Sequence, residues 1–345
     1  MFENKERTEL SELGEFGLID RIKEKFKINQ KSTYLGIGDD AAVLNPGEKK
    51  ILISTDLLLE GVHFDLAYVP LKHLGYKSVM VNLSDILAMN AIPSQILVSI
   101  GLSNRFSLEA VEDIYEGINI ACKKYNIDLV GGDTSTSEKG LIISITSVGF
   151  AKKESIVLRS GAKKNDLICV SGDLGSAFLG LQILEREKIV YLENPSIQPD
   201  FENKDYLIER QLKPEARKDI IDILLKENIL PTSMIDISDG LSSELIHICM
   251  ASKVGCKIFE EKLPIDSLTS QTAMELNLDP TVCALNGGED YELLFTVGLQ
   301  DFEKIKKIEE ITIIGHIQEL EEGMHLISKG NNQYDLKAQG WKNFN

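Results

Sequence analysis

The chain has 345 residues, of which 43% are hydrophobic, and its 54 acidic against 37 basic residues give a net charge of -17. This length and composition predict two globular domains with sizeable cores rather than a disordered chain. The negative charge argues against nucleic acid or an anionic membrane as the main partner. A phosphate-bearing ligand would therefore have to enter together with a metal ion.

The cysteines and the first residues of the chain bear on its cellular location. There are five cysteines and no C-x-x-C pair, a pattern that argues against a disulfide framework and a zinc site and suits a reducing compartment. Residues 1–7 lack an apolar signal-like stretch, and every long apolar run is interrupted before about 18 residues. We therefore expect a cytoplasmic protein with no membrane span.

The first half of the chain alternates helical and strand patterns. Helices are predicted over 18–26, from Pro70 to about Asn90, and from an N-cap at Ser107 to about Tyr125. Strands are predicted for the apolar or β-branched runs that end in acidic motifs or lie between them, namely 36–38, 51–54, 96–100, 128–130 and 141–150. The pattern indicates an α/β domain whose strands deliver acidic loops.

A polar turn at 160–166 separates two strand patterns and places a domain boundary near residue 155. The predicted domains are therefore 1–155 and 156–345. The second domain is expected to contain strands at 167–170, 234–235, 257–259 and 293–297, with helices through Leu184, from Pro214, and over 241–251. The polar segment 191–206 is predicted to be a loop. Two α/β domains that share a cleft are the expected architecture.

Six acidic motifs recur along the chain, and most of them follow a strand-like run and end in Gly, Ser or Thr. They are Gly38-Asp39-Asp40, Ser54-Thr55-Asp56, Asn82-Leu83-Ser84-Asp85, Gly131-Gly132-Asp133-Thr134, Asp236-Ile237-Ser238-Asp239-Gly240 and Gly287-Gly288-Glu289-Asp290. Carboxylates gathered at one edge of a sheet repel each other unless hard cations lie between them. The motifs therefore indicate magnesium and phosphate chemistry.

Several of these motifs also have a simpler interpretation. Asp39-Asp40 and Gly131-Gly132-Asp133 are compatible with ordinary turns, and Asp239 could cap the helix that follows it. Asp85 could be a surface residue, but the apolar run before it indicates a buried acid that needs a cation or hydrogen-bond donors. Neither a G-x-x-x-x-G-K-[ST] sequence nor the H-R-D and D-F-G pair is present, which excludes P-loop and protein-kinase assignments.

Taken together, the motifs resemble those of the thiamine-monophosphate kinases. The resemblance runs from about Gly14 to Trp341 and includes Gly61-Val62-His63-Phe64, Arg159-Ser160-Gly161-Ala162 and the extension of the last acidic motif through Tyr291-Glu292. It implies the two-domain α/β (α+β) fold of the aminoimidazole ribonucleotide synthetase-like superfamily. In that fold the N-terminal domain, here 1–155, binds ATP and magnesium and pairs into a dimeric β-barrel. The C-terminal α/β domain, here 156–345, completes the active site.

The same resemblance implies roles for individual residues, with ATP as co-substrate and several Mg²⁺ ions bound in a homodimer. The implied metal ligands are Asp40, Ser54, Thr55, Asp56, Asp85, Asp133, Asp236 and Asp239. ATP would be contacted by Tyr115, Gly132, Asp133, Arg159 and Ser238, and thiamine monophosphate by His63, Glu289 and Trp341. Arg159 and Asp133 would be the catalytic residues.

Two other functions stay open at this point. One is another ATP-dependent phosphoryl transfer of the same superfamily, for instance on aminoimidazole precursors, and the other is a calcium- or nucleotide-binding module without catalysis. Two sister families fit less well. No cysteine precedes Cys122, where selenophosphate synthetases carry a reactive residue near the start, and the chain ends without the cysteine-bearing tail of the hydrogenase-maturation relative.

Overall fold

The computed structural model describes residues 21–35 and 43–339. Several of the predictions above lie outside these residues, namely the start of the helix at 18–20, the strand at 36–38, the acidic motif at 38–40 with the metal ligand Asp40, and the substrate residue Trp341. The chain forms two compact units. The first holds the described residues up to Ile86 together with Ala91–Glu154, and the second holds Leu87–Asn90 and the described residues from Ser155 onward.

The first unit is a four-stranded sheet with helices against it. Residues 21–25 are helical, and the labelled elements are β1 (Thr33–Leu35), β2 (Val43–Leu44), β3 (Lys50–Leu59), α1 (Leu71–Ala88), β4 (Ile92–Leu102), α2 (Leu108–Tyr125), β5 (Asp128–Thr136) and β6 (Ile142–Ala151). The sheet order is β3-β6-β4-β5, and β1 pairs separately with β2. Only β4 and β5 are parallel, and α2 makes the crossover that a parallel pair requires.

Local sequence signals account for the helix ends and for the strand faces. As predicted, Ser107 caps α2, since its side chain accepts a hydrogen bond from the Ala110 N–H, and Asn126 ends the helix at φ +56°. On β3, Leu52 and Leu58 are buried, because even-numbered side chains point toward α1. Odd-numbered side chains point to the other face, where Ile53 is 68% exposed.

The second unit is a seven-stranded mixed sheet with helices. Its elements are β7 (Leu167–Ser171), α3 (Ser176–Glu193), α4 (Asp205–Leu212), α5 (Lys218–Lys226), β8 (Ser233–Asp236), α6 (Leu241–Ser252), β9 (Gly255–Phe259), α7 (Ser267–Glu275), α8 (Pro280–Asn286), β10 (Leu293–Val297), α9 (Phe302–Ile305), β11 (Ile311–Gln318), β12 (Met324–Ile327) and β13 (Gln333–Asp335). The order is β13-β12-β9-β11-β7-β10-β8, with β9 and β12 as its parallel pair. A buried cluster that includes Ile168, Leu245 and Leu294 forms the core under this sheet.

The predicted α/β class is confirmed, and the dimeric barrel stays a prediction. Two acidic motifs lie inside strands rather than after them, because β3 continues through 54–56 and β5 continues through 131–133. Thr55 pairs with Thr146 of β6, and such β-branched residues keep the ladder intact.

The predicted loop is confirmed for residues 194–204. The two ends of the segment 191–206 are helical instead, since α3 extends to Glu193 and α4 begins at Asp205. In the part of the chain that the structure describes, no helix has the length and apolar character that a membrane crossing needs.

Candidate functional site

Polar side chains from β3 and α1 meet on the covered face of the first unit's sheet. The Ser54 hydroxyl donates to the Asp85 carboxylate, and the Asp56 backbone N–H donates to Oδ1 of Asn82 at 3.0 Å. Asn82 is held in turn by Ser147, whose hydroxyl donates to the Asn82 carbonyl oxygen at 3.0 Å. We call Ser54, Asp56, Asn82 and Asp85 the inner-face cluster.

The electrostatics of the inner-face cluster suit a hard cation. Burial, followed by the nearby charge of Asp85, raises the pKa of Asp56 to about 6, so the two carboxylates disfavour each other's ionisation. Every donor is an oxygen, the ligand type that Mg²⁺ prefers. No three His, Cys, Asp or Glu side chains in the described ranges lie close enough to hold a metal ion between them. The cluster therefore offers two carboxylates and a hydroxyl, and a cation there would relieve their repulsion.

Thr55 and Asp133 lie on the opposite face of the same sheet. Asp133 is opposite Ser99 in the β5–β4 register, Ser99 is opposite Ser144, and Ser144 is opposite Leu57 of β3. Three strand spacings, about 14 Å, therefore separate Asp133 from β3. The Thr55 hydroxyl donates to the Ile145 carbonyl oxygen at 3.1 Å. The sheet thus places these two predicted ligands on its outer face, away from the inner-face cluster.

Gly132 has a packing reason to be glycine. A Cβ at this position would lie 1.8 Å from the Val98 carbonyl oxygen, whereas a Cβ at Gly131 would meet nothing closer than 3.6 Å. The backbone of Gly132 therefore lies against the backbone of β4. The predicted contact of Gly132 with ATP stays a prediction.

His63 and Tyr115 are each fixed by a neighbour in the first unit. Nδ1 of His63 accepts a hydrogen bond of 3.0 Å from the Leu59 N–H, which holds the ring just after β3. Tyr115 is buried, and this burial raises the pKa of its hydroxyl. Its ring packs edge-on against Phe26 at 6.4 Å between centroids. Arg21 and Lys25 lie beside Tyr115 in a shallow hollow, where both form ion pairs with Glu112.

The motif 236–240 connects β8 to α6 in the second unit. Asp239 does not cap α6, contrary to one interpretation above, because Gly240 is the N-cap and no side chain caps the helix. Instead Glu244 reaches back, and its Oε1 accepts the Asp239 N–H at 3.0 Å. Burial, helped by the charges of Asp239 and Asp236, raises the pKa of Glu244 to about 7. Glu244 was not identified from the sequence, because nothing in its spacing separates it from an ordinary helix residue.

The motif that contains Glu289 is hydrogen-bonded to the 236–240 motif along the backbone. The Glu289 N–H donates to the Ser238 carbonyl oxygen at 2.7 Å, and the Tyr291 N–H donates to the Ile237 carbonyl oxygen at 2.9 Å. Glu289 has φ +58°, a conformation that costs a non-glycine residue on the order of 1 kcal/mol. The two sequence motifs therefore form one structural element.

A buried ion network supports this element from behind. Arg210 pairs with Glu292 at 3.0 Å, and Arg217 pairs with Glu292 and, at 2.8 Å, with Asp219. Asp290 is fully buried and accepts the Gly175 N–H at 3.0 Å, and its burial raises the pKa of its carboxyl to about 7. Neither arginine was identified from the sequence, since no motif surrounds them.

Arg159 and the other site residues predicted for this part of the chain also lie in the second unit. Arg159 is exposed, its carbonyl oxygen accepts a hydrogen bond of 3.4 Å from Ser252, and within the described part of the chain its guanidinium forms no ion pair. Asp236 is buried at the end of β8, and Ser238 is partly buried after it. The second unit therefore gathers Asp236, Ser238, Asp239 and Glu289 in one region.

Comparison with known proteins decides the family. Residues 38–151 match the family model "AIR synthase related protein, N-terminal domain". A thiamine-monophosphate kinase from Aquifex aeolicus (strain VF5) is 38% identical over 335 residues, which cover 97% of this chain and 99% of the relative. The chain belongs to the thiamine-monophosphate kinase family. The family member from Bacillus subtilis (strain 168) is 35% identical over 341 residues, 96% of this chain and 100% of the relative.

Solved structures of the thiamine-monophosphate kinase family have the same fold. The structure described as "AaThiL complexed with AMPPCP and TMP" matches with a TM-score of 0.73 and 35% identity over 99% of this chain and 100% of that one. The Stenotrophomonas maltophilia K279a family member matches with a TM-score of 0.79 and 30% identity over 94% and 98%. The hydrogenase maturation protein HypE in complex with ATP, at 18% identity and a TM-score of 0.71 over 88% and 89%, shares the fold.

Proposed function

We propose that this protein transfers the terminal phosphoryl group of ATP to thiamine monophosphate and so forms thiamine diphosphate and ADP. The observation that carries the proposal is its family membership over nearly the whole chain. A relative that is 35% identical has been solved with AMPPCP and TMP bound. AMPPCP is a non-hydrolysable mimic of ATP, so its CH₂ group stands for the oxygen between the β- and γ-phosphates. The bound pair therefore corresponds to the two substrates of this reaction.

The transfer proceeds directly and in line, without a phosphoenzyme. A phosphate monoester is mostly dianionic at neutral pH, because its second pKa is about 6, and it is therefore already a nucleophile. The obstacle is the repulsion between two anions, which amounts to about 4 kcal/mol for two unit charges at 4 Å and an effective dielectric of 20. Positioning and charge neutralisation supply the catalysis, and no general base is required.

Mg²⁺ would supply the neutralising charge between the two phosphates. The inner-face cluster fits such an ion, since Ser54, Asp56 and Asp85 present only oxygen donors, and burial, followed by the charge of Asp85, raises the pKa of Asp56. We assign separate magnesium ions to Thr55 and Asp133 on the outer face of the sheet, and to Asp236 and Asp239 in the second unit. Asp40 completes this assignment from outside the described residues.

The remaining chain residues orient the substrates. We assign ATP contacts to Tyr115, Gly132, Arg159 and Ser238, with the exposed guanidinium of Arg159 suited to forking onto phosphate oxygens. We assign the contacts with thiamine monophosphate to His63, Glu289 and Trp341, the last of which lies outside the described residues. Glu289 offers a carboxylate to the cationic thiazolium ring.

We also propose that the protein acts as a homodimer in the cytoplasm. The outer face of β3 supports the dimer, because Ile51, Ile53 and Leu57 are 47%, 68% and 50% exposed. Such an apolar row on an edge strand favours burial against another copy of the same sheet. A dimeric barrel would cover this row.

An assay of ADP release tests the function. We expect Mg²⁺-dependent ADP formation with thiamine monophosphate and none with free thiamine, which lacks the nucleophilic phosphate. Asp85→Asn keeps the shape of the side chain but removes its charge, and it should lower kcat by at least about a hundredfold. Asp113→Asn, at an exposed site on α2, is the control and should leave turnover unchanged. ADP formation with an aminoimidazole precursor but not with thiamine monophosphate would refute the proposal.

A further inference from the structure

Gln211 makes a direct hydrogen bond to the carboxylate of Glu289. Its Nε2 donates to Oε2 of Glu289 at 2.7 Å. Gln211 is only 5% exposed, so the bond is shielded from competing water. A neutral amide that donates to an ionised carboxylate forms a charge-assisted bond, which is stronger than one between neutral groups. The bond fixes one carboxylate oxygen and with it the rotamer of the side chain.

The helix that carries Gln211 is anchored on both sides of the contact. Arg210, its neighbour in α4, pairs with Glu292 at 3.0 Å and donates to the Asp290 carbonyl oxygen at 3.2 Å. Leu207, one turn earlier, is fully buried in a cluster with Leu179 and Ile183 of α3. Because α4 cannot shift without breaking these contacts, it is a rigid support for Gln211.

The backbone of Glu289 is fixed independently of its side chain. The Glu289 N–H donates to the Ser238 carbonyl oxygen at 2.7 Å, and its φ of +58° holds the residue in the left-handed region. The backbone hydrogen bond fixes the main chain of Glu289, and the hydrogen bond from the Gln211 amide fixes its carboxylate. Together they hold the carboxylate in one place before any ligand arrives.

We propose that Gln211 is a positioning residue for thiamine monophosphate and acts through the carboxylate of Glu289. This inference rests on the proposed function, in which Glu289 meets the substrate. A carboxylate that is held in one place binds the cationic ring of the substrate without a loss of side-chain entropy. The proposal gives Gln211 no contact with ATP or with the transferred phosphoryl group, so we expect its effect to be confined to one substrate.

The test is steady-state kinetics of Gln211→Met, which preserves the length of the side chain and removes the donor. We expect the KM for thiamine monophosphate to rise about tenfold, as for the loss of one hydrogen bond to a charged group, while the KM for ATP stays within about twofold. Gln271→Met is the matched control, since Gln271 also donates to a glutamate, Glu275, at 2.8 Å but at an exposed site. It should change neither KM.

A double-mutant cycle with Glu289→Gln separates positioning from general damage. If Gln211 acts through the carboxylate, Gln211→Met should have less than about a twofold effect once Glu289→Gln is present. Gln211→Glu provides a second variant of similar size, and its repulsion of Glu289 should raise the KM for thiamine monophosphate further. Thermal denaturation midpoints identify any variant that fails to fold.

The outcomes are distinct. If the wild type is active but Gln211→Met raises the KM values for thiamine monophosphate and ATP equally, or raises neither, the role of Gln211 is refuted. The proposed function is then left intact. Additive effects in the cycle refute the role as well. A wild type that forms no ADP with thiamine monophosphate overturns the proposed function and this inference together.

Discussion

The backbone N–H of Glu289 donates a hydrogen bond of 2.7 Å to the carbonyl oxygen of Ser238. This bond joins the motif assigned to thiamine monophosphate to the motif assigned to magnesium and ATP. The antiparallel register continues it, with Leu293 opposite Asp236. A displacement of one motif therefore moves the other, so the substrate and metal positions that we propose for the second unit would be set by the same backbone.

Glu292 is expected to be essential for stability. Glu292→Gln removes a charge that Arg210 and Arg217 share, and it leaves Arg217 with Asp219 and Arg210 with only the more distant Asp290 carboxylate at 4.0 Å. Breaking a buried ion pair by removing one partner costs about 3 to 5 kcal/mol. Urea denaturation measures the loss in the free energy of unfolding. Glu275→Gln is the control. It breaks the ion pair between Lys204 and Glu275, whose side chain is 45% exposed, and it should cost less than about 1 kcal/mol.

Asp290 should make stability depend on pH. Burial raises the pKa of Asp290 to about 7 in the folded state, so the folded state binds this proton more tightly than the unfolded chain does. Its contribution to stability therefore falls as pH rises from about 4 to about 7, by up to about 1.4 kcal/mol per pH unit. Asp290→Asn removes this dependence. Urea denaturation from pH 5 to 8 should therefore show the free energy of unfolding of the variant rising relative to that of the wild type as the pH increases.

Asp219 supplies the control for this experiment, because its pKa is shifted in the opposite direction. Despite the opposing effect of burial, the hydrogen bonds and charge of Arg217 hold the pKa of Asp219 below its usual range. Its contribution is present above about pH 4 and is lost only as pH falls further. Asp219→Asn should therefore cost the same at every pH from 5 to 8. A parallel response of the two variants would contradict the assignment of Asp290.

Gly132 should not tolerate a side chain. The Cβ of Gly132→Ala would lie 1.8 Å from the Val98 carbonyl oxygen, so β5 must separate from β4. We expect a loss of about 3 kcal/mol in the free energy of unfolding, as for severe overpacking. Gly131→Ala places its Cβ 3.6 Å from the nearest atom and should cost much less. Equal thermal midpoints for the two variants would show that the strands separate easily.

The outer face of β3 should control the oligomeric state. Ile53→Glu puts a charge into a row that we expect to be buried in the dimer, and the desolvation of that charge should convert the protein into monomers. Sedimentation velocity measures the change. Leu225→Glu alters a residue that is 72% exposed on α5 and should leave the mass unchanged. A wild type that already sediments as a monomer would refute the dimer.

Sequence patterns identified the elements that depend on local physics. The Ser107 cap and the helix end near Tyr125 were predicted correctly, because capping involves neighbours along the chain. The ends of β3 and β5 were misplaced, because their continuation depends on pairing with β6 and β4, partners that are distant along the chain. The helix α4 was missed, since its residues are held by Glu292 and Leu179 rather than by a strong local signal.

The sequence by itself determined the family and the residue types of the site. The chemistry needs closely spaced acids, glycines and hydroxyls, and such motifs can be recognised in a sequence without a structure. Only the tertiary structure decided which of them meet. It placed Asp56 on the face of the sheet that Asp85 of α1 covers, and Asp133 on the other face. Which face a strand residue occupies depends on the register, because side chains alternate between the two faces at every residue. It also brought Gln211 to Glu289, a contact between distant segments that no local pattern encodes.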